Sequence, residues 1–102
     1  MAQRRIGGHV QPESGPEKAF GQALREIQKE RNVSQETLAL ESAFDRTYVS
    51  LLERGIKSPT LRVIVKLSRA LEVLPSEMIR RMEVRWHTEG KVKALMKIPR
   101  TE

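Results

Sequence analysis

Apolar residues recur every three or four positions along most of this chain, and the intervals between them hold residues that start or stop helices. Phe20, Leu24 and Ile27 share one face of a predicted helix that opens with acidic Glu17, carries Lys29 and Arg31 near its end, and stops at Asn32. Pro59 and Thr60 precede a second long periodic stretch through Leu61, Ile64, Leu67, Ser68 and Leu71, with Arg62, Lys66 and Arg69 on its wet face. A further helix opens near Pro75, Ser76 and Glu77 and supplies Met78, Ile79 and Met82 to close a core. Beyond Met82 two periods compete: Val84, Trp86 and Thr88 alternate as in a strand, whereas Met78, Met82 and Trp86 recur every fourth residue as in a helix. Helix to about His87 is the favoured reading, with Gly90 ending it.

Between the long helices lies Ser34 to Gly55, which reads as two short helices joined by a tight turn. Ser34 is placed to accept a backbone N–H in the first turn, and Leu38 with small Ala39 forms the buried side. After Ser42, Ala43 and Phe44, Asp45 is the N-cap candidate for a helix from about Arg46 to Arg54 that stops at Gly55. Val49 and Leu52 face inward, which leaves Arg46, Thr47, Ser50 and Leu51 outside. A helix that merely covers a core carries long charged residues outside. Arg, Thr, Ser and one apolar residue instead match what reads base edges and thymine methyls.

The segments FGQALREIQKERNVSQETLA, TYVSLLERG and SPTLRVIVKLSRALEV, in this order and spacing, resemble the Cro/repressor-type helix-turn-helix family, also called the lambda-repressor-like DNA-binding domain. The resemblance spans residues 20–73. It implies a compact all-α domain of five helices with flexible termini, and a sequence-specific regulator of transcription, a repressor, reading the major groove of double-stranded DNA with the helix 46–54. Position by position it implies that Arg46 and Thr47 read bases at the start of the recognition helix, with Ser50 and Leu51 farther along the same face. Arg46 suits guanine, because its guanidinium bonds O6 and N7 together. Gln35, Tyr48, Arg54, Lys57 and Ser58 would touch the sugar-phosphate backbone, although Tyr48 equally suits a half-buried structural role. Leu38, Ala39, Val49 and Leu52 hold the pair together.

Two positions depart from the family pattern. Glu53 stands where a glutamate usually pairs with a first-helix arginine, yet the matching position here is Gln28, so a neutral hydrogen bond or Arg25 is expected instead. Ala43 stands where the turn often has glycine, so a left-handed backbone there carries modest strain.

Composition agrees with a polyanionic partner. The 102 residues hold 19 Lys and Arg against 13 Asp and Glu, a net charge of +6, which favours phosphate neutralisation. Much of the excess is terminal: Arg4 and Arg5 stand against Glu13 at the start, and five basic against two acidic groups occupy residues 85–102. DNA contacts in the nearly balanced middle must therefore be local. Absence of cysteine fits a reducing, cytoplasmic setting without disulfides or thiolate metal sites, and no apolar stretch approaches a membrane span or a secretory signal. His9 and His87 lie in terminal regions and no grouping indicates acid-base or nucleophilic chemistry, so neither an enzyme nor a cofactor or metal is expected. Glu26 with Glu30, and Glu36 with Glu41, read as solvated helical charges.

The organisation expected is a flexible Gly- and Pro-containing arm over residues 1–16, the DNA-binding domain over 17–87, and a basic tail over 88–102. Met78, Met82 and Trp86 are candidate dimer contacts, since readers of this architecture commonly bind palindromic operators as two-fold homodimers. The rival reading is an antitoxin or adaptor whose helical fold binds a protein partner.

Overall fold

The computed structural model describes residues 15–88, which form α1 (Pro16–Arg31), α2 (Gln35–Ser42), α3 (Arg46–Glu53), α4 (Leu61–Leu71) and α5 (Pro75–Thr88). Among the described residues there is no strand, and no helix is long and apolar enough to cross a membrane. The helical reading past Met82 is the observed one. The rest of the expected arm and tail lies outside the described residues.

Local chemistry accounts for the ends. Pro16 occupies the first turn of α1, where its missing N–H costs nothing, and Asn32 takes the left-handed conformation at φ 60° while its N–H returns to the Gln28 and Lys29 carbonyls. Ser34 Oγ accepts from Thr37 N at 3.0 Å, and Thr60 Oγ1 accepts from Val63 N at 3.2 Å. Asp45 holds the N-cap position of α3 without a side-chain capping bond. Ala43 closes α2 at φ 63°, so this turn is built left-handed without glycine.

α1 is the central element, packed along α5 on one flank and against α3 on another, while α2 is wedged between α3 and α4. The core collects Phe20, Leu24 and Ile27 from α1, Leu38 and Ala39 from α2, Val49 and Leu52 from α3, Ile64, Leu67 and Leu71 from α4, and Met78 from α5. Lys66 Nζ lies 5.4 Å from the Phe44 ring centroid, tying α4 to the turn between α2 and α3.

Two glycines allow α1 and the end of α3 to meet backbone to backbone. A Cβ on Gly21 would stand 2.5 Å from the Leu52 carbonyl oxygen and closer still to that of Glu53, so no larger residue fits this crossing. Gly55 adopts φ +76°, and a Cβ there would lie 2.7 Å from Lys18 Cα. The position of the recognition helix is thus fixed at its C-terminal end by α1.

Charge fixes α1 to α5. Arg81 donates from both terminal nitrogens to the Glu30 carboxylate at 2.8 Å and from Nε to Glu77 at 2.7 Å, and Glu26 stands 3.5 Å away. Arg85 also lies 3.5 Å from Glu26. The expectation of merely solvated charges at Glu26 and Glu30 is therefore corrected: periodicity places them on the α1 surface, but α5 brings cations across to them. Hydrogen bonds from Arg80 and Arg81 pull the Glu77 carboxyl down to about 2, and Arg81 likewise lowers Glu30.

Candidate nucleic-acid interface

Arg46 and Thr47 stand exposed at the start of α3, where a helix presents its first turn to whatever lies in front of it. Ser50 and Leu51, one turn on, are half-buried. Leu51 is thus less outward than its position in the sequence indicates, and its carbonyl accepts from Ile56 N at 3.0 Å and Lys57 N at 3.4 Å, which turns the following loop back on the end of α3. Arg54, Lys57 and Ser58 are exposed just beyond it. Arg54 and Lys57 enter no ion pair among the described residues.

Behind this surface Val49 and Leu52 are fully enclosed, opposite Leu38 and nearly buried Ala39. Tyr48 is half-buried and meets Phe44 edge to face at 5.3 Å between centroids. Its ring is therefore part of the structural joint between α2 and α3. Ser42, also buried, donates to the Leu38 carbonyl at 2.6 Å.

A polar chain runs over the outside of the helix pair. Gln35 Nε2 donates to Glu53 Oε1 at 2.9 Å, and Gln35 Oε1 accepts from Arg46 Nε at 2.9 Å. Arg46 Nη1 then reaches Glu36 Oε2 at 3.1 Å. This corrects the partner expected for Glu53, which is Gln35 rather than Gln28 or Arg25. Arg46 and Glu53 are seven residues apart, two turns on one side of α3, and that side faces the start of α2. Gln28 is instead buried in α1 with its Oε1 unpartnered among the described residues. Gln35 keeps a second amide hydrogen on Nε2 beyond the one given to Glu53.

Of the expected dimer contacts, Met78 is fully enclosed by its own chain and presents no surface to a second copy. Met82 and Trp86 are half-buried at the rim of α5, and Ile79, 37% exposed, is the apolar residue beside them that faces out. Ile79 and Met82 border a hollow of about 160 Å³ shared with Phe20, Pro59 and Ile64. Sequence reasoning also missed the Glu36 partner of Arg46 and the close approach at Gly21. A carboxylate one residue after Gln35 is a visible signal only once the crossing of α2 and α3 is known.

A helix-turn-helix family model matches residues 23–78. The chain is 44% identical over 61 residues to control protein C.BamHI from Bacillus amyloliquefaciens, covering 59% of this chain and 75% of that relative. The crystal structure of the restriction-modification controller protein C.AhdI from Aeromonas hydrophila is similar with a TM-score of 0.59 at 45% identity, over 61% of this chain and 94% of that one. The controller protein C.Esp1396I, solved as a tetramer with its natural 35 base-pair operator, is similar with a TM-score of 0.66 at 26% identity, over 72% and 97% of the two chains.

Proposed function

Since the chain belongs to the Cro/C1-type helix-turn-helix family of DNA-binding transcriptional regulators, we propose that it represses its target by laying α3 in the major groove of a two-fold operator. The observation that carries this reading is the start of α3: Arg46 and Thr47 project from a helix whose opposite face is locked into the core. Arg46 takes a guanine and Thr47 the adjacent base edge, while Ser50 and Leu51 border the groove at the next turn. Gln35 through its remaining amide hydrogen, the Tyr48 hydroxyl, Arg54, Lys57 and Ser58 hold the sugar-phosphate backbone and set the register.

Homodimerisation doubles these contacts, and half-sites then fall about 34 Å apart on one side of the duplex. The second copy packs on the outer ridge of α5, through Met82 and Trp86 with Ile79 in place of enclosed Met78. Both relatives at 44 and 45% identity are controller proteins, which supports the narrower reading that the regulated genes belong to a restriction-modification system.

Selection of bound sequences from random duplex DNA, followed by titration at several salt concentrations, tests the assignment. Arg46→Ala is expected to cost about 1–3 kcal/mol at the selected site and to relax choice at one base pair. Equal loss on every duplex would reduce Arg46 to a backbone contact. For the dimer, Ile79→Lys is expected to shift sedimentation toward monomer, and an unchanged dimer would move the interface off this ridge.

A further inference from the structure

We propose that Glu36 is a positioning residue for base reading: its carboxylate, with Gln35, holds the Arg46 guanidinium at an angle that leaves its outer edge for guanine. The proposal rests on the assignment of Arg46 as the base reader. Arg46 has five N–H donors in a planar fork. Nε is bonded to Gln35 Oε1 at 2.9 Å and one Nη1 hydrogen to Glu36 Oε2 at 3.1 Å. The other Nη1 hydrogen and both on Nη2 are left for the two acceptors, O6 and N7, that guanine offers in the groove. Nε–H and Nη1 lie on opposite flanks of the planar guanidinium, so α2 grips it from both flanks and the Nη1–Nη2 end of the fork is open.

An exposed ion pair contributes little by itself, and this one is open, with 63% of the Arg46 and 72% of the Glu36 side chain accessible. Its setting changes what it does. The pair ends a chain in which Glu53 holds Gln35 and Gln35 holds Arg46, so the guanidinium is held to α2 through both Nε and Nη1. Fixing a long side chain before binding removes part of the entropy lost on contact. It also keeps Arg46 from swinging to the nearest phosphate, the contact a loose arginine makes on any sequence. The carboxylate adds a local negative charge that weakens attraction to duplex DNA in general. Glu36 thus lowers binding to random DNA and favours the site where guanine meets the held fork.

Charge and positioning separate in two variants, because Glu36→Gln keeps an acceptor oxygen without the charge and Glu36→Ala keeps neither. Binding is measured to the selected duplex, to one with the guanine–cytosine pair under Arg46 replaced, and to random duplex across a salt series. Both variants are expected to bind random duplex about threefold or more tighter, with a salt slope steeper by about one unit. Discrimination against the replaced pair is expected to fall about tenfold in Glu36→Ala and by less in Glu36→Gln. In an Arg46→Ala background neither variant alters discrimination further. Equal tightening on all duplexes, with discrimination intact, would overturn the proposal and leave Glu36 a bulk charge. Loss of discrimination that persists without Arg46 would overturn it too. If Arg46→Ala alone leaves base choice intact, the base-reading assignment itself falls, and that outcome is visible before any Glu36 variant is compared.

Discussion

The α1–α5 seam and the α2–α3 surface draw on the same residue types and put them to opposite uses. Along the seam Arg80, Arg81 and Arg85 all meet carboxylates, and Arg81 alone is shared by Glu26, Glu30 and Glu77. On the α2–α3 side Arg46 has one carboxylate and keeps its outer edge, while Arg54 and Lys57 have no acidic partner among the described residues. These α5 arginines are committed to carboxylates of the fold, whereas Arg54 and Lys57 beside α3 are available to phosphate. Counting net charge misses this distinction, because what a polyanion meets is the set of cations whose charge is not already answered.

The change that should break the comparison most severely acts on both regions through α1. Gly21→Ala puts a Cβ 2.5 Å from the Leu52 carbonyl oxygen, and that atom belongs to the backbone of the recognition helix. Alanine's better helix propensity returns about 1 kcal/mol, but forcing the two backbones apart costs about 1–3 kcal/mol and occasionally more. The expected outcome is a lower Tm together with more than about tenfold weaker binding at the selected site, since a displaced α3 no longer aligns Arg46 with Gln35. A variant as stable as the parent and equally tight on DNA would show that the crossing relaxes freely.

Acid should attack the seam first. The Glu77 carboxyl lies at about 2, below its ordinary 4.5, held down by hydrogen bonds from Arg80 and Arg81. Above pH 4.5 the carboxylate is ionised whether the chain is folded or not, and its contribution to stability is complete. As pH falls below 4.5 the unfolded chain takes up the proton first, so that contribution shrinks, and it is gone once the pH passes below about 2. Glu30, lowered by Arg81, acts in the same direction. Thermal melts between pH 7 and pH 2 should show this decline, and Arg81→Met should lower Tm at neutral pH and flatten the acid dependence. An acid slope unchanged by Arg81→Met would assign the loss to other carboxylates.

A gentler contrast compares one cation from each region. Lys57→Ala should weaken all duplexes alike and reduce the salt slope by about one unit, as one phosphate contact is lost. Arg85→Ala, which removes a partner of Glu26, should leave the slope nearly as it was. If both variants change the slope equally, the division between committed and available cations does not govern DNA binding.

Why helix limits were legible and the contacts between helices were not follows from the range of the interactions. Helix limits at Ser34, Asn32 and Thr60 rest on bonds closed within a few residues, so composition and spacing reveal them. The partners of Glu53, Glu26 and Glu30 depend on how helices cross, and no local pattern carries that. Gly21 reads locally as a weak point in a helix, and only the carbonyls of α3 explain it. Met78, Met82 and Trp86 repeat every fourth residue, and such a row drifts about 40° per step around an α-helix. It therefore begins inside at Met78 and ends at the rim at Trp86, a difference the repeat itself conceals.

Ala43 supplies the smallest test, and it bears on the joint that keeps α2 and α3 at their angle. The residue sits at φ 63° and ψ 37°, where a Cβ crowds the following carbonyl and costs an L-residue about 1–2 kcal/mol. Ala43→Gly removes that crowding but widens the freedom of the unfolded chain, an opposing effect of about 0.4–1 kcal/mol. Relief of strain is the larger of the two, so the variant should be more stable by somewhat less than about 1 kcal/mol, read as a small rise in Tm. DNA affinity at the selected site should not change, because Phe44 N still bonds the Ala39 carbonyl at 2.9 Å and the Phe44–Tyr48 ring contact still sets the crossing. A stability gain accompanied by weaker binding would mean that the left-handed alanine stiffens the turn that aims Arg46. The turn would then belong with the reading surface rather than with the frame that supports it.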